Sequence, residues 1–545
     1  MKIHYIPLNK FDMVKENYDG TITVKPHIKQ RYIFTCQNQK NTILIFNNKN
    51  GCVFSYHLET CSLIQLNHEN TKAWENLIGI ACINHQLIAY SPEKKAILFF
   101  DAETFQYISE CDFPVEINAL TLVENRLFTY QRSDSTISVF EIHDHTFTLQ
   151  NSFEVKGIGN ASLTINEHHL FITDSEENVL RKYTTDGKLV WEAICPFIDP
   201  IGQIWDSHEL YILYSGLVNE VGYDNNCWQE QKPFFHPLKI RIEQAENMVT
   251  TYTNAFEVDF FYEEHFFNRI AESKLPMTID IALPPPTKHQ QLLDVAPLGL
   301  EFNIIEKNKL PYARYEIKNK STDLHAIGYK ARLRLQSVKT TILNNTEFKL
   351  SDKDLLTEEE KSELDVTNHY FDRFLLEENL NSITKLLKIR NTIFSKLYYR
   401  KNTYATSFVE VLKDGYGSCG DYTSLIMILM SLNKLSCQSV GGYKIPRFYN
   451  GEGNIISAYY NHAWIETYDT NNQSFSFETS SDDKEYHQRL CEGQFLGIDW
   501  THVKLYNGKA HPNLIDIPSH PERHPFDYFQ KASAYFIINK ELDEI

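Results

Sequence analysis

The sequence predicts a multidomain protein made of an N-terminal all-β repeat region, a central antiparallel β domain and a C-terminal α+β domain. Three observations support this order. Short alternating apolar segments recur at a fixed period early in the chain, longer alternating strands follow, and helical patterns appear only later. We expect domains at 1–249, 250–345 and 346–505, and a C-terminal extension at 506–545 that packs on the half of the chain with the candidate catalytic residues.

Leucines mark the period of the first domain because each begins the second strand of a repeated unit. They are separated by 43, 40, 43 and 40 residues: Leu44, Leu87, Leu127, Leu170 and Leu210. The next strand ends near an aromatic residue in four units: Phe100, Phe140, Tyr183 and Tyr223. Such a period is typical of a β-propeller blade, which buries its faces only against neighbouring blades. We predict a propeller-like domain of five to seven blades that binds a protein partner, with a β-sandwich as the alternative.

The second domain is predicted from strands with one apolar face. Met277, Ile279, Ile281 and Leu283 alternate with polar or small residues before three prolines end the strand. Leu333 and Leu335 alternate with arginines in another strand. These patterns indicate an antiparallel scaffold with one solvated face.

Composition excludes several classes of function. The chain has 545 residues and a formal net charge of -18, which argues against nucleic acid or an anionic membrane as the main partner. No apolar run is long enough to span a bilayer, and the N-terminus lacks a signal-peptide core. We expect a cytoplasmic protein, and export by a leaderless route stays open as an alternative.

The cysteines predict neither disulfides nor a metal site. All ten are scattered without a C-x-x-C pair, so most should be reduced and buried. The histidines at 511, 520 and 524 are separated by prolines and support metal binding only weakly, and no acidic loop has calcium spacing. We expect no cofactor and no metal.

Residues 415–479 carry the strongest chemical signal. Cys419 precedes a nearly all-apolar run and should begin a buried helix, where the helix dipole favours thiolate over thiol. His462 lies in an alternating strand, and Glu478 follows a turn. A nucleophile, a base and an orienting carboxylate in this order are what a thiol enzyme needs. Asp482 and Asp483 are rivals of Glu478, and Asp421 should cap the helix.

The same segment resembles the transglutaminase-like superfamily of papain-type thiol enzymes. The match lies in G-x-C-x-D-Y from Gly417, G-Y at Gly442, H-A-W from His462 and the strand that ends at Glu478 and Thr479. The resemblance covers about 250–500, because Pro276–Val338 is similar to the β segment that precedes this domain in bacterial members. It implies Cys419 as nucleophile, His462 as base and acid, and Glu478 where the family has aspartate. It does not extend to calcium dependence.

The leading interpretation is therefore a cysteine-dependent enzyme that acts on an amide or peptide bond of a protein substrate through a thioester. Hydrolysis, by a protease or deamidase, and transfer, by a transglutaminase, share this intermediate. They differ in whether water or an amine attacks the thioester. The alternative is a catalytically inactive transglutaminase-like scaffold joined to a propeller that binds proteins. Glu478 in place of aspartate is the feature that favours the scaffold.

Overall fold

The structure is a computed structural model of the whole chain. It describes residues 4–5, 15–16, 22–23, 34–39, 42–57, 62–113, 115–143, 146–157, 159–206, 209–215, 234–267, 276–318, 324–343, 348–353, 355–356, 358–400, 407–445, 455–457, 460–480, 493, 495–508, 514–522 and 524–544. The chain divides into two compact units. Unit 1 contains Met1–Lys239 and Cys491–Gly493, and unit 2 contains Ile240–Leu490 and Gln494–Ile545.

Unit 1 is built almost entirely from short antiparallel strands. In chain order they are β1 (His4–Tyr5), β2 (Lys15–Glu16), β3 (Ile22–Thr23), β4 (Phe34–Gln39), β5 (Thr42–Asn47), β6 (Cys52–His57), β7 (Ser62–Gln65), β8 (Ile78–Ile83), β9 (Gln86–Ser91), β10 (Ala96–Asp101), β11 (Tyr107–Asp112), β12 (Ala119–Val123), β13 (Arg126–Gln131), β14 (Thr136–His143), β15 (Thr146–Glu154), β16 (Ala161–Asn166), β17 (His169–Asp174), β18 (Val179–Thr184), β19 (Leu189–Ile194), β20 (Pro200–Asp206), β21 (Glu209–Tyr214) and β22 (Phe234–Pro237). In the described part of unit 1, one short helix, α1 (Thr71–Trp74), interrupts them.

These strands form five four-stranded sheets within the described residues, and β2 and β3 form a separate hairpin. Four of these sheets consist of four consecutive strands each: β4 to β7, β8 to β11, β12 to β15 and β16 to β19. The fifth has the order β1-β22-β21-β20, so the N-terminal strand is its outer strand. The first strands contact one another in the order β4, β8, β12, β16 and β20, and β20 contacts β4 in turn. The prediction of a propeller-like fold is confirmed, with five blades among the described residues.

The leucine period has a direct structural basis. All five leucines lie on the second strand of their sheet, and all are buried between neighbouring sheets or within one. Phe100, Phe140 and Tyr183 lie on third strands and are also buried. Tyr223 lies outside the described residues. A buried second strand needs an apolar residue at the same place in each blade, which produces the repeat.

Unit 2 combines long strands with a small helical layer. Its strands are β23 (Ile240–Gln244), β24 (Met248–Phe266), β25 (Met277–Ala282), β26 (Gln290–Leu298), β27 (Phe302–Lys307), β28 (Leu310–Ile317), β29 (Ala326–Ile342), β30 (Tyr398–Tyr399), β31 (Tyr416–Gly417), β32 (Gln438–Lys444), β33 (Ile455–Ser457), β34 (Tyr460–Tyr468), β35 (Ser474–Phe477), β36 (Gly497–Ile498), β37 (His502–Asn507), β38 (Ile515–Asp516) and β39 (Phe529–Glu541). Its helices are α2 (Glu358–Leu364), α3 (Ser382–Lys396), α4 (Phe408–Asp414) and α5 (Cys419–Leu432), with 3-10 turns at His369–Phe374 and Pro525–Asp527.

Among the described residues, three larger sheets organise this unit, and β30 and β31 form a separate parallel pair. A seven-stranded sheet contains the path β26-β29-β24-β39-β33, with β23 paired to β24 and β36 to β29. A second sheet has the order β27-β28-β25-β38, and a third has β35-β34-β32-β37. The C-terminal strand β39 is thus a central member of the first sheet, beside β24. Leu333 and Leu335 are fully buried on β29, as the alternation predicts.

Helix α5 is buried along nearly its whole length and forms the centre of the apolar core of unit 2. Leu425, Ile426, Ile428 and Met430 have no exposed surface and pack with residues of α3, including Leu386. Among the described residues, no helix is long and apolar enough to cross a membrane.

One buried carboxyl should make the stability of unit 2 depend on pH. Glu264 on β24 is 2% exposed and accepts a hydrogen bond from the Tyr262 hydroxyl. Burial raises the pKa of Glu264 to about 7, and the hydrogen bond offsets this only in part. Because the folded state favours the protonated carboxyl, this group's contribution is complete below its unfolded pKa and is lost as the pH rises through about 7.

We expect Glu264→Gln, which stays neutral at all pH values, to remove a decrease of about 3 kcal/mol in the free energy of unfolding between pH 5 and 8. Denaturant unfolding at the two pH values measures this decrease. Glu263→Gln is the matched control, because the Glu263 side chain is 29% exposed on the same strand. An unchanged pH dependence in Glu264→Gln contradicts the assignment.

Candidate active site

Cys419 is the first residue of α5, and a complete capping box fixes this end of the helix. The Ser418 hydroxyl accepts a hydrogen bond from the Asp421 N–H, and Asp421 Oδ2 accepts one from the Ser418 N–H at 2.8 Å. The prediction that Asp421 caps the helix is confirmed. The Cys419 side chain is partly exposed, and its Sγ donates weakly to the Asn461 carbonyl oxygen at 3.9 Å. The sulfur therefore lies beside the residue that precedes His462.

His462 lies on β34, in the sheet against which α5 packs. Its register partner on β32 is Gly442. Two threonines tie the helix to this sheet: Thr423 Oγ1 on α5 is 2.7 Å from Thr479 Oγ1, and Thr479 Oγ1 is 3.4 Å from the Ala463 carbonyl oxygen. These contacts bring the helix end, the histidine strand and the segment after β35 together.

Glu478 is the first residue after β35, and its carboxylate is fully engaged. Oε2 lies 2.8 Å from His462 Nε2, and Oε1 accepts a hydrogen bond from the Ser480 N–H at 2.9 Å. The side chains of His462 and Glu478 are 0% and 4% exposed. Since His462 Nε2 faces the carboxylate, Nδ1 is the ring nitrogen that would exchange a proton with the Cys419 sulfur.

The electrostatics of this carboxylate follow from its neighbours. Burial alone would raise the pKa of Glu478, but the charge of His462 and the hydrogen bonds from His462 and His502 lower it well below its usual value. The Lys444 ammonium lowers it further. Glu478 is therefore ionised throughout the neutral pH range and can accept hydrogen bonds from both rings.

Sequence reasoning missed His502, which approaches the same carboxylate from β37. Its Nε2 also lies 2.8 Å from Glu478 Oε2, and its Nδ1 lies 3.0 Å from Asp499 Oδ1. Its ring packs edge-on against Trp464, with centroids 5.4 Å apart. The only sequence signal was the short D-W-T-H run from Asp499, which has no spacing relation to the other candidates.

Tyr506 is a second residue that the sequence analysis did not identify. Its ring lies against Gly441, where an added Cβ would meet the ring at 2.1 Å. Burial raises the pKa of Tyr506 to about 12, and the nearby Cys419 adds to the increase. Tyr506 therefore lines the surroundings of the sulfur as a neutral phenol.

Some residues that the sequence analysis named lie in parts of the chain that the structure does not describe. Asp482, Asp483 and His511 lie outside the described residues.

One ligand atom each from His462, Glu478 and His502 lies within 4.8 Å of the others, which is close enough to hold a metal ion. Here these atoms are joined by 2.8 Å hydrogen bonds, which suits a proton-bearing cluster. The arrangement can thus orient an imidazole beside a sulfur.

Residues 373–479 match the family model of the transglutaminase-like superfamily, a range that includes all three candidate residues. No curated protein matches the sequence. Among solved structures, the chain is similar to a candidate cysteine protease from Cytophaga hutchinsonii, with 15% identity and a TM-score of 0.33 over 54% of this chain and 94% of that one.

Two further solved structures are similar to this chain. One is virginiamycin B lyase from Staphylococcus aureus, with 15% identity and a TM-score of 0.25 over 44% of this chain and 83% of that one. The other is a β-propeller domain from Myceliophteria thermophila, with 10% identity and a TM-score of 0.24 over 42% of this chain and 82% of that one. The assignment of 373–479 rests on the family model and not on these structures.

The close approach of β32 and β37 should make Gly442 intolerant of any side chain. A Cβ at this position would lie 1.8 Å from the Val503 carbonyl oxygen, which is backbone and can move only if the two strands separate. We expect Gly442→Ala to lower the free energy of unfolding by about 3 kcal/mol. Gly420→Ala, on the first turn of α5 with its nearest atom at 3.7 Å, is the control and should change it by less than about 1 kcal/mol. Denaturant unfolding measures the free energy of unfolding of both variants. Equal losses in the two variants contradict a clash at Gly442.

Proposed function

We propose that Cys419, His462 and Glu478 of the transglutaminase-like domain at residues 373–479 form a thiol catalytic triad that cleaves or transfers amide bonds. The observation that carries the proposal is the 2.8 Å contact between His462 Nε2 and Glu478. The Cys419 sulfur lies 3.9 Å from the carbonyl oxygen of Asn461, which is on the same strand as His462. The contact between His462 and Glu478 would fix the imidazole tautomer that presents Nδ1 to the thiol.

In the proposed reaction, the Cys419 sulfur attacks the carbonyl carbon of a carboxamide or peptide, and its proton passes to His462 Nδ1. The carbon–nitrogen bond then breaks, and the leaving amine takes the proton from His462. Water or a second amine gives a proton to His462 and attacks the thioester, which releases the acyl product and restores the thiol. Free N–H groups at the start of α5 would stabilise the oxyanion.

Glu478 in place of the family's aspartate is the feature that favours an inactive scaffold. Its contacts support activity instead, because a side chain one methylene longer still meets His462 at 2.8 Å and is held from the other side by Ser480. The substrate we propose is a protein or peptide, and the propeller-like unit would bind a protein partner.

The reactivity of Cys419 tests the proposal directly. We expect iodoacetamide at pH 7 to alkylate Cys419 at least about tenfold faster than Cys111, since a thiol activated by a histidine is more ionised than an ordinary one. Cys111 is the internal control, because it is also partly exposed and burial raises its pKa. Peptide mass spectrometry gives both rates.

His462→Ala should bring the Cys419 rate to within about threefold of the Cys111 rate. Unselective labelling of the wild-type cysteines, or a Cys419 rate that does not respond to His462→Ala, refutes the triad and leaves the binding scaffold.

A second test asks whether the length of Glu478 matters. Glu478→Asp restores the family's residue but withdraws the carboxylate by about one carbon–carbon bond, so it should reach His462 poorly. We expect the rate of Cys419 alkylation to fall by about tenfold to a hundredfold, as for other small misplacements of a reacting group. Glu478→Gln, which keeps the length, is the matched control. A Glu478→Asp variant that reacts like the wild type contradicts the role of side-chain length.

A further inference from the structure

The Glu478 carboxylate has more partners than a triad requires. The two imidazoles approach one oxygen, Oε2, each at 2.8 Å, and their ring centroids are 5.3 Å apart. All three side chains are almost completely buried. A buried carboxylate held from two sides by imidazole donors has little freedom to rotate away from either ring.

Each ring nitrogen of His502 contacts a different carboxylate. Both of its ring nitrogens lie within hydrogen-bond distance of carboxylate oxygens, on Glu478 and on Asp499. Asp499 Oδ1 also accepts hydrogen bonds from the Thr501 N–H, at 3.0 Å, and from the Thr501 hydroxyl, so it acts as an acceptor. His502 is therefore held between two carboxylates, one at each ring nitrogen.

Two other titratable groups lie near this ring. His289 lies near His502, and burial, together with the charges of His502 and Lys504, lowers the pKa of His289 to about 3. His289 is therefore neutral. Lys504 is paired with Glu466 at 2.8 Å.

We infer that His502 is a positioning residue that holds Glu478 against His462 and allows a glutamate to do the work of the family's aspartate. The inference rests on the proposed function and adds a residue outside the segment that the family model matches, which ends at residue 479. The longer glutamate needs a second anchor, and His502 supplies it from the neighbouring strand β37. Asp499 in turn fixes the ring of His502.

Two substitutions of His502 distinguish a role in positioning Glu478 from a role in packing the buried site. In His502→Gln the amide nitrogen can take the place of Nε2 and keep the hydrogen bond to Glu478. In His502→Asn the amide nitrogen can take the place of Nδ1, which keeps the bond to Asp499 and loses the one to Glu478. Both variants remove an aromatic ring from the same buried site, and because Asn is one methylene smaller than Gln, the unfolding midpoint is compared with the rate to register any difference in packing.

The experiment measures the rate of Cys419 alkylation by iodoacetamide at pH 7 in the full chain, beside the thermal unfolding midpoint. We expect His502→Asn to lower the rate by about tenfold to a hundredfold, and His502→Gln to stay within about threefold of the wild type. Equal rates in the two variants overturn the inference, whether both match the wild type or both fall. The proposed function is tested separately, because it fails if wild-type Cys419 does not respond to His462→Ala.

If His502→Asn does not fold, Asp499→Asn provides the second variant, since it keeps the size of the side chain. It removes the charge that fixes His502 and leaves Glu478 untouched. We expect a smaller loss of Cys419 alkylation rate, about threefold to tenfold, at an unfolding midpoint close to that of the wild type. A wild-type rate in a folded Asp499→Asn variant overturns the inference.

Discussion

The geometry of the candidate site depends on one buried carboxylate. Glu478 is ionised although it is only 4% exposed, because two imidazoles and the Ser480 N–H donate to it. A buried charge without such donors would destabilise the folded state by several kcal/mol. Glu478 therefore needs strands β34 and β37 in register at the same time. The sheet β35-β34-β32-β37 keeps them in register across the glycine pair of β32.

Local chemistry made the first group of residues predictable from the sequence. Cys419 was identifiable because a helix start has a recognisable pattern, and the capping box of Ser418 and Asp421 is local in sequence. His462 and Glu478 were identifiable from a family pattern that spans a single hairpin. The leucines of the blades were identifiable because a repeated environment requires a repeated residue.

The remaining features depend on contacts between distant segments, which a local pattern does not encode. His502 reaches Glu478 only because β37 pairs with β32. Tyr506 packs on Gly441 for the same reason, and neither pair has a characteristic spacing. The number of blades was also open, since the fifth sheet is completed by two residues at the N-terminus, His4 and Tyr5. Only the three-dimensional pairing identifies such partners.

The place of β39 in the seven-stranded sheet has a consequence for synthesis and for fragment design. Phe256 on β24 pairs with Glu541, so β24 lacks this neighbour in the sheet until β39 has been synthesised. Contacts of such long range make folding slow, because the intervening chain must be ordered first. A nascent chain would expose the edge of β24 until then, and a fragment ending at the family boundary would expose it permanently.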